Sequence, residues 1–200
     1  MFDGKFRTSV DGVTAPIGKN LDRAGFSADA LTFSGLLFSI GAGVAIAADL
    51  FWWAIALIAV AGLHDLMDGA VAKASASASQ RGSFFDSVVD RVSDAAMLAG
   101  VTYWLIHHHP GNLVLVPFGL VTTFLLISYQ RSKAESLGIA AKGGLMERAE
   151  RLIVLGVALS NHRIFIPVLC VLLALTTMTA FGRFFRVWQA AAVGTRNGRP

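Results

Sequence analysis

The sequence predicts an all-α integral membrane protein, a bundle of six transmembrane helices preceded by an amphipathic helix at the membrane interface. Three observations predict this class. Apolar residues make up 54% of the 200 residues and charged residues only 15%, whereas a soluble domain carries about 25% charged residues. The mean hydropathy is +0.61. The apolar residues also gather into six stretches whose lengths approach the roughly 20 residues that a helix needs to cross the hydrocarbon core.

Residues 1–26 form an N-terminal segment that is too polar to hold the apolar region of a secretory signal peptide. Its apolar residues recur at intervals of three and four, at Phe6, Val10, Val13, Ile17 and Leu21. This period is typical of an amphipathic helix, and we expect the helix to lie in the cytoplasmic interface of the membrane. Pro16 should kink or interrupt it, because proline lacks a backbone N–H.

Residues 27–190 form the predicted membrane domain, and residues 191–200 form a predicted flexible cytoplasmic tail. The six spans are expected at about residues 31–48, 51–74, 82–106, 113–136, 144–160 and 164–188. The second, third and fifth of these stretches are unusually polar at one end. Because charge inside a membrane is costly, this polarity is the main indication of function.

The distribution of charge predicts how the bundle is oriented. With six spans, both termini lie on one side, and all 17 Lys and Arg residues except Arg163 fall on that side. The positive-inside rule therefore places both termini in the cytoplasm of a multi-pass cell-membrane protein. All 13 acidic residues except Asp49 lie there too, which indicates a polar site at that face. The net charge of +4 is explained by this arrangement, and no nucleic-acid-binding motif accompanies it.

Five aspartates between residues 65 and 94 form the strongest motif. Asp65 and Asp68 are three residues apart and share one helix face, while Asp86, Asp90 and Asp94 follow at intervals of four. A hairpin between the two helices would bring four carboxylates together near the cytoplasmic end. Such a group needs positive charge to neutralise it, and hard divalent cations prefer carboxylate oxygens. Two such ions about 4 Å apart are a common clamp for phosphoryl chemistry.

Two other interpretations of these carboxylates stay open at this point. They can form structural ion pairs with Lys73, Arg81 or Arg91, or they can line an ion path in a divalent-cation or proton-coupled transporter. Transporters place their acidic residues near the membrane midplane and commonly show paired repeats. The acids here are grouped toward one end, and no repeat is evident, which favours an enzyme acting on charged substrates.

The spacing around these aspartates also resembles the signature of the CDP-alcohol phosphotransferases, D-x2-D-G-x2-A-R-x8-G-x3-D-x3-D. The matching residues are Asp65, Asp68, Gly69, Ala72, Lys73, Gly82, Asp86 and Asp90, and only Lys73 departs, since the family has Arg there. The resemblance implies that Asp65, Asp68, Asp86 and Asp90 bind two divalent ions, Mg²⁺ or Mn²⁺. It further implies that Asp90 is the general base. The residues that it implies for binding the CDP moiety are Gly69, Ala72, Lys73 and Gly82.

The same resemblance implies the reaction and the assembly. A phosphatidyl group would pass from CDP-diacylglycerol to an alcohol, with release of CMP, in a homodimer among membrane lipids. Lys73 would still supply positive charge to a phosphate, but as a point charge and not as a planar fork.

A second polar region, residues 128–151, carries the predicted site for the acceptor. Arg131, Arg148, Arg151 and Arg183 are the candidates for binding a phosphate on the acceptor. Basic residues flanking spans also contact anionic lipids, and we expect this role for Lys142, Arg186, Arg196 and Arg199. The region is similar to actinobacterial phosphatidylinositol-phosphate synthases, which implies inositol 1-phosphate as the acceptor. The resemblance also implies that Ser128 binds the phosphate of that acceptor together with Arg131, Arg148 and Arg183. Glycerol 3-phosphate or another alcohol remains an alternative, because a basic pocket does not distinguish two phosphorylated polyols.

Overall fold

The computed structural model describes residues 5–75, 79–141 and 143–196. In this part of the chain all regular secondary structure is helical, as predicted. The chain divides into two compact units, residues 2–114 and 115–200, which we describe separately. The first contains α1 (Lys5–Arg23), α2 (Ala28–Ala47), α3 (Phe51–Ala74), α4 (Gln80–His108) and a short 3-10 helix (Asn112–Val114). The second contains α5 (Leu115–Ser136), α6 (Arg148–Leu159) and α7 (His162–Arg196).

Four helices of the described residues, α2, α3, α5 and α7, are long and apolar enough to cross a membrane. Helix α4 has 29 residues, which is ample length, but it carries the aspartate stripe and is therefore less apolar. Helix α6 has only 12 residues, so it extends about 18 Å against the roughly 30 Å thickness of the hydrocarbon core. The predicted fifth span starts near residue 144, whereas α6 starts at Arg148, because the backbone of Glu147 directly before it is extended, with a ψ of 178°.

The predicted interruption at Pro16 is not found, because α1 runs continuously from Lys5 to Arg23 with Pro16 inside it. The continuous helix α1 packs against α3. Thr14 and Gly18 are buried, and a Cβ added to Gly18 would lie 2.7 Å from the carbonyl carbon of Ala70. The side chains of residues 5–13, which carry most of the predicted apolar stripe, lie outside the described side chains.

Helices α2 and α4 approach each other closely at two glycines. A Cβ added to Gly43 would collide with the carbonyl oxygen of Ala96, and one added to Gly100 would collide with the backbone of Gly43. The missing side chains therefore allow backbone-to-backbone contact, as in other helix pairs packed in membranes. This contact fixes α2 against α4, and the N-terminal ends of both helices line one cavity that is described below.

We expect Gly100→Ala to destabilise the first unit, because the added methyl group has backbone atoms in its path and the two helices must separate. Overpacking of this kind costs about 1–3 kcal/mol. Gly62→Ala in α3 is the matched control, since a Cβ there meets nothing within 4 Å, and alanine is favoured over glycine in a helix by about 0.5–1 kcal/mol. Thermal unfolding in detergent should show a lower midpoint for the first variant only. An unchanged midpoint for Gly100→Ala would contradict the close approach.

In the second unit, α5 and α6 pack against α7. The buried Thr123 and Thr176 hydroxyls lie 3.0 Å apart across the α5–α7 contact. Phe165, Leu169 and Leu172 of α7 are fully enclosed and form its core. Helix α7 continues to Arg196, so it includes six residues of the segment that was predicted to be a flexible tail. Residues 197–200 lie outside the described residues.

Candidate active site

Three of the four predicted metal-binding aspartates converge in the first unit. Asp65, Asp68 and Asp86 each place one carboxylate oxygen within 4.8 Å of the others. The cause is local geometry. Asp65 and Asp68 are separated by slightly less than one turn of α3 and so share its face, and α4 presents Asp86 to the same point.

Asp68 is the most enclosed of the three carboxylates, with 6% of the residue exposed. The hydroxyl of Thr32 in α2 donates a hydrogen bond of 2.6 Å to its Oδ2 atom. Thr32 is itself buried, so its hydroxyl fixes the direction in which the Asp68 carboxylate points. Helix α2 thus supports the carboxylate cluster, a role that the sequence motif does not indicate.

The donor set fits a hard divalent cation. Three carboxylate oxygens within 4.8 Å of one another are close enough to bind the same ion, and Mg²⁺ and Mn²⁺ prefer such oxygen ligands. Grouping three negative charges with one of them buried is costly unless a cation balances them. The cluster therefore has both the chemistry and the electrostatic need for a metal ion.

Asp90 lies one turn further along α4 and does not belong to this close set of three. It is half-buried, and the Nη1 atom of Arg91 lies 3.7 Å from its Oδ2 atom. Arg91 also donates a hydrogen bond to the carbonyl of Ser87 on the same helix. The structure thus brings together three of the four carboxylates and places Asp90 one turn beyond Asp86 on α4.

A cavity of about 340 Å³ opens beside the carboxylates. Among the described residues it is lined by Ser27, Ala28, Asp29, Thr32, Asp68, Gly69, Ala72, Ser79, Gly82, Ser83 and Asp86. Three of the positions predicted to hold the CDP moiety, Gly69, Ala72 and Gly82, thus line this cavity. A Cβ added to Gly69 would meet nothing within 4 Å, so that glycine faces open space. Lys73 is exposed and is not part of the lining.

Two helices begin at this cavity, both earlier in the chain than the hydropathy pattern predicts. Ser27 caps α2 by accepting a hydrogen bond from the backbone N–H of Ala30, and Ser79 caps α4 by accepting one from Gly82. The N-terminal end of a helix carries partial positive charge and free N–H groups, which favour an anion such as a phosphate. A serine before a helix is a recognised start signal, but the run of alternating Ser and Ala before residue 80 conceals which serine is the cap.

Arg183 is the central residue of the basic cluster in the second unit. It is 1% exposed. Its Nη1 atom donates to the carbonyl of Ile127 at 2.8 Å, and its Nη2 atom donates to Glu147 Oε1 at 2.5 Å. Arg131 is more open, and its Nε atom donates to Glu135 Oε1 at 3.0 Å. Glu147 was not a predicted site residue.

The other candidates in this unit have different surroundings. Arg151 is 4% exposed, and its guanidinium lies 4.2 Å from the centre of the Phe124 ring, a cation–π contact that ties α6 to α5. Arg148 and Ser128 are half-buried.

Of the four basic residues expected only to flank the membrane, Arg186 has a further contact, since its Nη2 atom donates to the Gly143 carbonyl at 2.9 Å. Lys142 and Arg199 lie outside the described residues, as does the side chain of Arg196.

Residues 26–193, most of the chain, match the model of the CDP-alcohol phosphatidyltransferase family. The chain belongs to this family. The predicted family is therefore confirmed, and this CDP-alcohol phosphatidyltransferase is a multi-pass membrane enzyme.

Two relatives of this family member are similar along much of its length. The phosphatidylinositol phosphate synthase of Mycobacteroides abscessus is 36% identical over 145 residues, which are 71% of this chain and 66% of the relative. The archaetidylinositol phosphate synthase of Methanothermobacter thermautotrophicus is 34% identical over 192 residues, 92% of this chain and 93% of the relative.

Solved structures of the phosphatidylinositol phosphate synthase of Mycobacterium tuberculosis are similar in fold. The crystal structure with CDP-DAG bound has a TM-score of 0.79 and 26% identity, and the match covers 88% of this chain and 94% of that one. The crystal structure in complex with manganese and citrate has a TM-score of 0.77 and the same identity, covering 88% of each chain. The all-α fold of this CDP-alcohol phosphatidyltransferase is thus shared with proteins of the family.

Proposed function

We propose that the protein transfers the phosphatidyl group of CDP-diacylglycerol to inositol 1-phosphate, producing phosphatidylinositol phosphate and CMP. The observation that carries the proposal is the set of three carboxylates within 4.8 Å of one another beside a cavity that two helix N-termini line. The choice of acceptor is supported by the relatives, since one is a bacterial and the other an archaeal synthase, and both are named for an inositol phosphate product.

The first unit binds the donor. Asp65, Asp68, Asp86 and Asp90 hold two divalent ions, Mg²⁺ or Mn²⁺, and a solved relative in complex with manganese supports this assignment. Such ions neutralise the pyrophosphate of the donor and stabilise CMP as a leaving group. The positive ends of α2 and α4 add to that stabilisation.

The remaining groups of the donor site provide space and charge. Gly69, Ala72 and Gly82 leave room for the CDP moiety at the cavity, and Lys73 at the end of α3 contributes positive charge near the phosphates. The Thr32 hydroxyl keeps the Asp68 carboxylate in place throughout.

The chemical step is a displacement at the phosphorus that carries diacylglycerol. The acceptor hydroxyl oxygen attacks this phosphorus, the bond from phosphorus to the oxygen of CMP breaks, and the hydroxyl proton passes to the carboxylate of Asp90. Removal of that proton by a positioned base is general base catalysis. The bond formed is the new phosphodiester, and CMP leaves with the electron pair of the broken bond.

The second unit supplies the acceptor site. Ser128, Arg131, Arg148, Arg151 and Arg183 provide the positive charge and hydrogen-bond donors for the phosphate of inositol 1-phosphate. Arg131 is more accessible than Arg151 and Arg183, with 40% of its side chain exposed. Arg183 is enclosed and contributes mainly through its charge.

The arrangement in the membrane completes the proposal. Residues 27–190 cross the membrane six times, with α4 and the segment that includes α6 as the two spans beyond the four long apolar helices. Both termini and the active site face the cytoplasm, because nearly all Lys and Arg residues lie on that side. Helix α1 lies in the interface, and the protein is a homodimer, as the resemblance to the family implies.

An assay of CMP release tests this function directly. The purified protein is incubated with CDP-diacylglycerol and Mg²⁺ or Mn²⁺, together with inositol 1-phosphate, glycerol 3-phosphate, serine or free inositol. We expect CMP with inositol 1-phosphate and none after EDTA treatment. Free inositol should be about 10- to 100-fold poorer in kcat/KM, because charge-assisted hydrogen bonds to the phosphate are worth about 1.5–3 kcal/mol.

If glycerol 3-phosphate is the only acceptor that releases CMP, the proposed reaction class is correct, but the acceptor is glycerol 3-phosphate and not inositol 1-phosphate. If no acceptor produced CMP and no divalent ion bound, the transferase proposal would be wrong, and ion flux in proteoliposomes would test the transporter alternative.

A further inference from the structure

Glu147 directly precedes Arg148, the first residue of α6, but does not cap the helix with its side chain. Its φ and ψ are −75° and 178°, and its carboxylate makes no capping hydrogen bond. Only its backbone carbonyl joins the helix, by accepting from the N–H of Arg151. Short side chains such as Ser, Thr, Asp and Asn are the favoured caps, so a glutamate that points elsewhere indicates another role.

The Glu147 carboxylate instead connects two arginines of the predicted acceptor site. Its Oε1 atom accepts from Arg183 Nη2 at 2.5 Å, and its Oε2 atom lies 4.0 Å from Arg131 Nη1. Arg183 is nearly fully buried, whereas Glu147 and Arg131 are partly exposed. The carboxylate therefore joins a buried charge in α7 to an accessible charge in α5.

The loop before α6 is shaped around this ion pair. Gly143 has a φ of +89°, and its carbonyl accepts from Arg183 Nη2 at 3.4 Å. A Cβ added to Gly144 would lie 3.2 Å from Arg183 Nη2 and 3.3 Å from Glu147 Oε1. A side chain at residue 144 would therefore press on the pair, and glycine leaves it room.

The Arg183 guanidinium is consequently held by the protein. Its Nη1 and Nη2 atoms donate to Ile127, Gly143 and Glu147, and its buried Nε atom has no hydrogen-bond partner among the described residues. Because its guanidinium is buried and hydrogen-bonded, Arg183 is suited to orient neighbouring groups. It is not suited to move toward a ligand that enters from solvent. Arg131, which the other carboxylate oxygen faces, keeps its exposed surface for a ligand.

We propose that Glu147 is a positioning residue for acceptor recognition: held by the buried Arg183, its carboxylate orients Arg131 to bind the phosphate of the acceptor. The inference rests on the proposed function for the identity of that acceptor. Loss of the Glu147 carboxylate leaves the Arg183 charge buried without its acidic partner and removes the carboxylate that faces Arg131 Nη1, so that in the described part of the chain only the exposed Glu135 still pairs with Arg131. Binding of the acceptor phosphate weakens as a result, while donor binding in the other unit is unchanged.

The test compares Glu147→Ala and Glu147→Gln with Glu135→Gln in the full chain. Glu135 is the matched control, because it also pairs with Arg131 but in an exposed position, where an ion pair contributes little. We expect Glu147→Ala to raise the KM for inositol 1-phosphate about tenfold or more, with the KM for CDP-diacylglycerol within about twofold. Glu147→Gln should recover part of the loss, since its amide oxygen still accepts from Arg183. Glu135→Gln should resemble the wild type.

Two results would overturn the inference. One is an equal rise in both KM values with a lower unfolding midpoint, which is the signature of a merely structural residue. The other is a fall in the acceptor KM, which would make Glu147 a competitor of the phosphate.

A binding measurement separates this inference from the reaction itself. Calorimetry with inositol 1-phosphate and with inorganic phosphate should show binding to the wild type and to Glu135→Gln, and weaker binding to Glu147→Ala. If that pattern appears although no CMP is released, the positioning role stands and the proposed reaction is wrong. If the wild type binds neither compound, the positioning role is wrong.

Discussion

Asp68→Asn should abolish metal-dependent CMP release. The substitution keeps the size of the side chain and an oxygen that accepts the Thr32 hydrogen bond, but it removes the most buried of the three clustered charges. Metal ions contribute several kcal/mol of charge stabilisation to such reactions, and each 1.36 kcal/mol is tenfold in rate. We therefore expect a loss of about a thousandfold or more in CMP release, together with loss of Mn²⁺ binding measured by electron paramagnetic resonance.

Two controls distinguish loss of the metal from loss of the fold. Asp22→Asn removes an exposed carboxylate of α1 and should leave both readouts unchanged. The metal-free Asp68→Asn protein should unfold at a midpoint no lower than the wild type, because one charge fewer relieves the repulsion among the three carboxylates. Retention of Mn²⁺ affinity by Asp68→Asn, with more than about a tenth of the activity, would contradict the proposed metal site.

The carboxylate cluster could be predicted from the sequence only in part. Residues three or four apart share a helix face wherever the helix lies, so the spacing predicts one pair, Asp65 and Asp68, on α3 and another, Asp86 and Asp90, on α4. Which carboxylates of the two helices meet depends on how the helices pack, and only Asp86 of the second pair joins the cluster. Thr32 could not be assigned in this way. Its contact with Asp68 depends on how α2 packs against α3, and a threonine in an apolar stretch has no distinguishing pattern.

The start of α6 shows where hydropathy misleads. The apolar residues after 144 favour a span, yet Gly143 and Gly144 adjoin each other, and paired glycines are a turn signal. The backbone of Glu147 is extended, with a ψ of 178°, so the helix starts only at Arg148. Helices α2, α3, α5 and α7 were predicted more accurately because long apolar runs leave fewer alternatives.

The roles of the basic residues could be predicted least well. Arg186 was expected to flank the membrane, but it holds the Gly143 carbonyl, and Arg183 is buried against Glu147. Sequence alone does not distinguish a basic residue at the lipid headgroups from one enclosed by a loop. The difference depends on the tertiary folding of residues 137–147, where no periodic pattern indicates what the loop covers.

Asp90→Asn should separate chemistry from metal binding, which Asp68→Asn does not. Asp65, Asp68 and Asp86 remain to bind a divalent ion, so we expect the variant to retain measurable Mn²⁺ affinity and a nearly unchanged KM for CDP-diacylglycerol. The proton of the acceptor hydroxyl, however, loses its base. General base catalysis contributes about 10²- to 10⁴-fold, and kcat for CMP release should fall within that range.

The matched control for Asp90→Asn is Asp49→Asn, because Asp49 lies outside the carboxylate cluster. The asparagine side chain can still accept the hydrogen bond that Trp104 Nε1 donates to Asp49. We therefore expect Asp49→Asn to have full activity.

Single-turnover measurements at saturating acceptor decide between the possible roles of Asp90. A slow chemical step with the donor still bound identifies Asp90 as the base. If Asp90→Asn instead lost Mn²⁺ and donor binding together, as Asp68→Asn should, Asp90 would act mainly as a metal ligand. Another group would then have to accept the proton. The half-buried position of Asp90, one turn beyond the three clustered carboxylates, favours the first result.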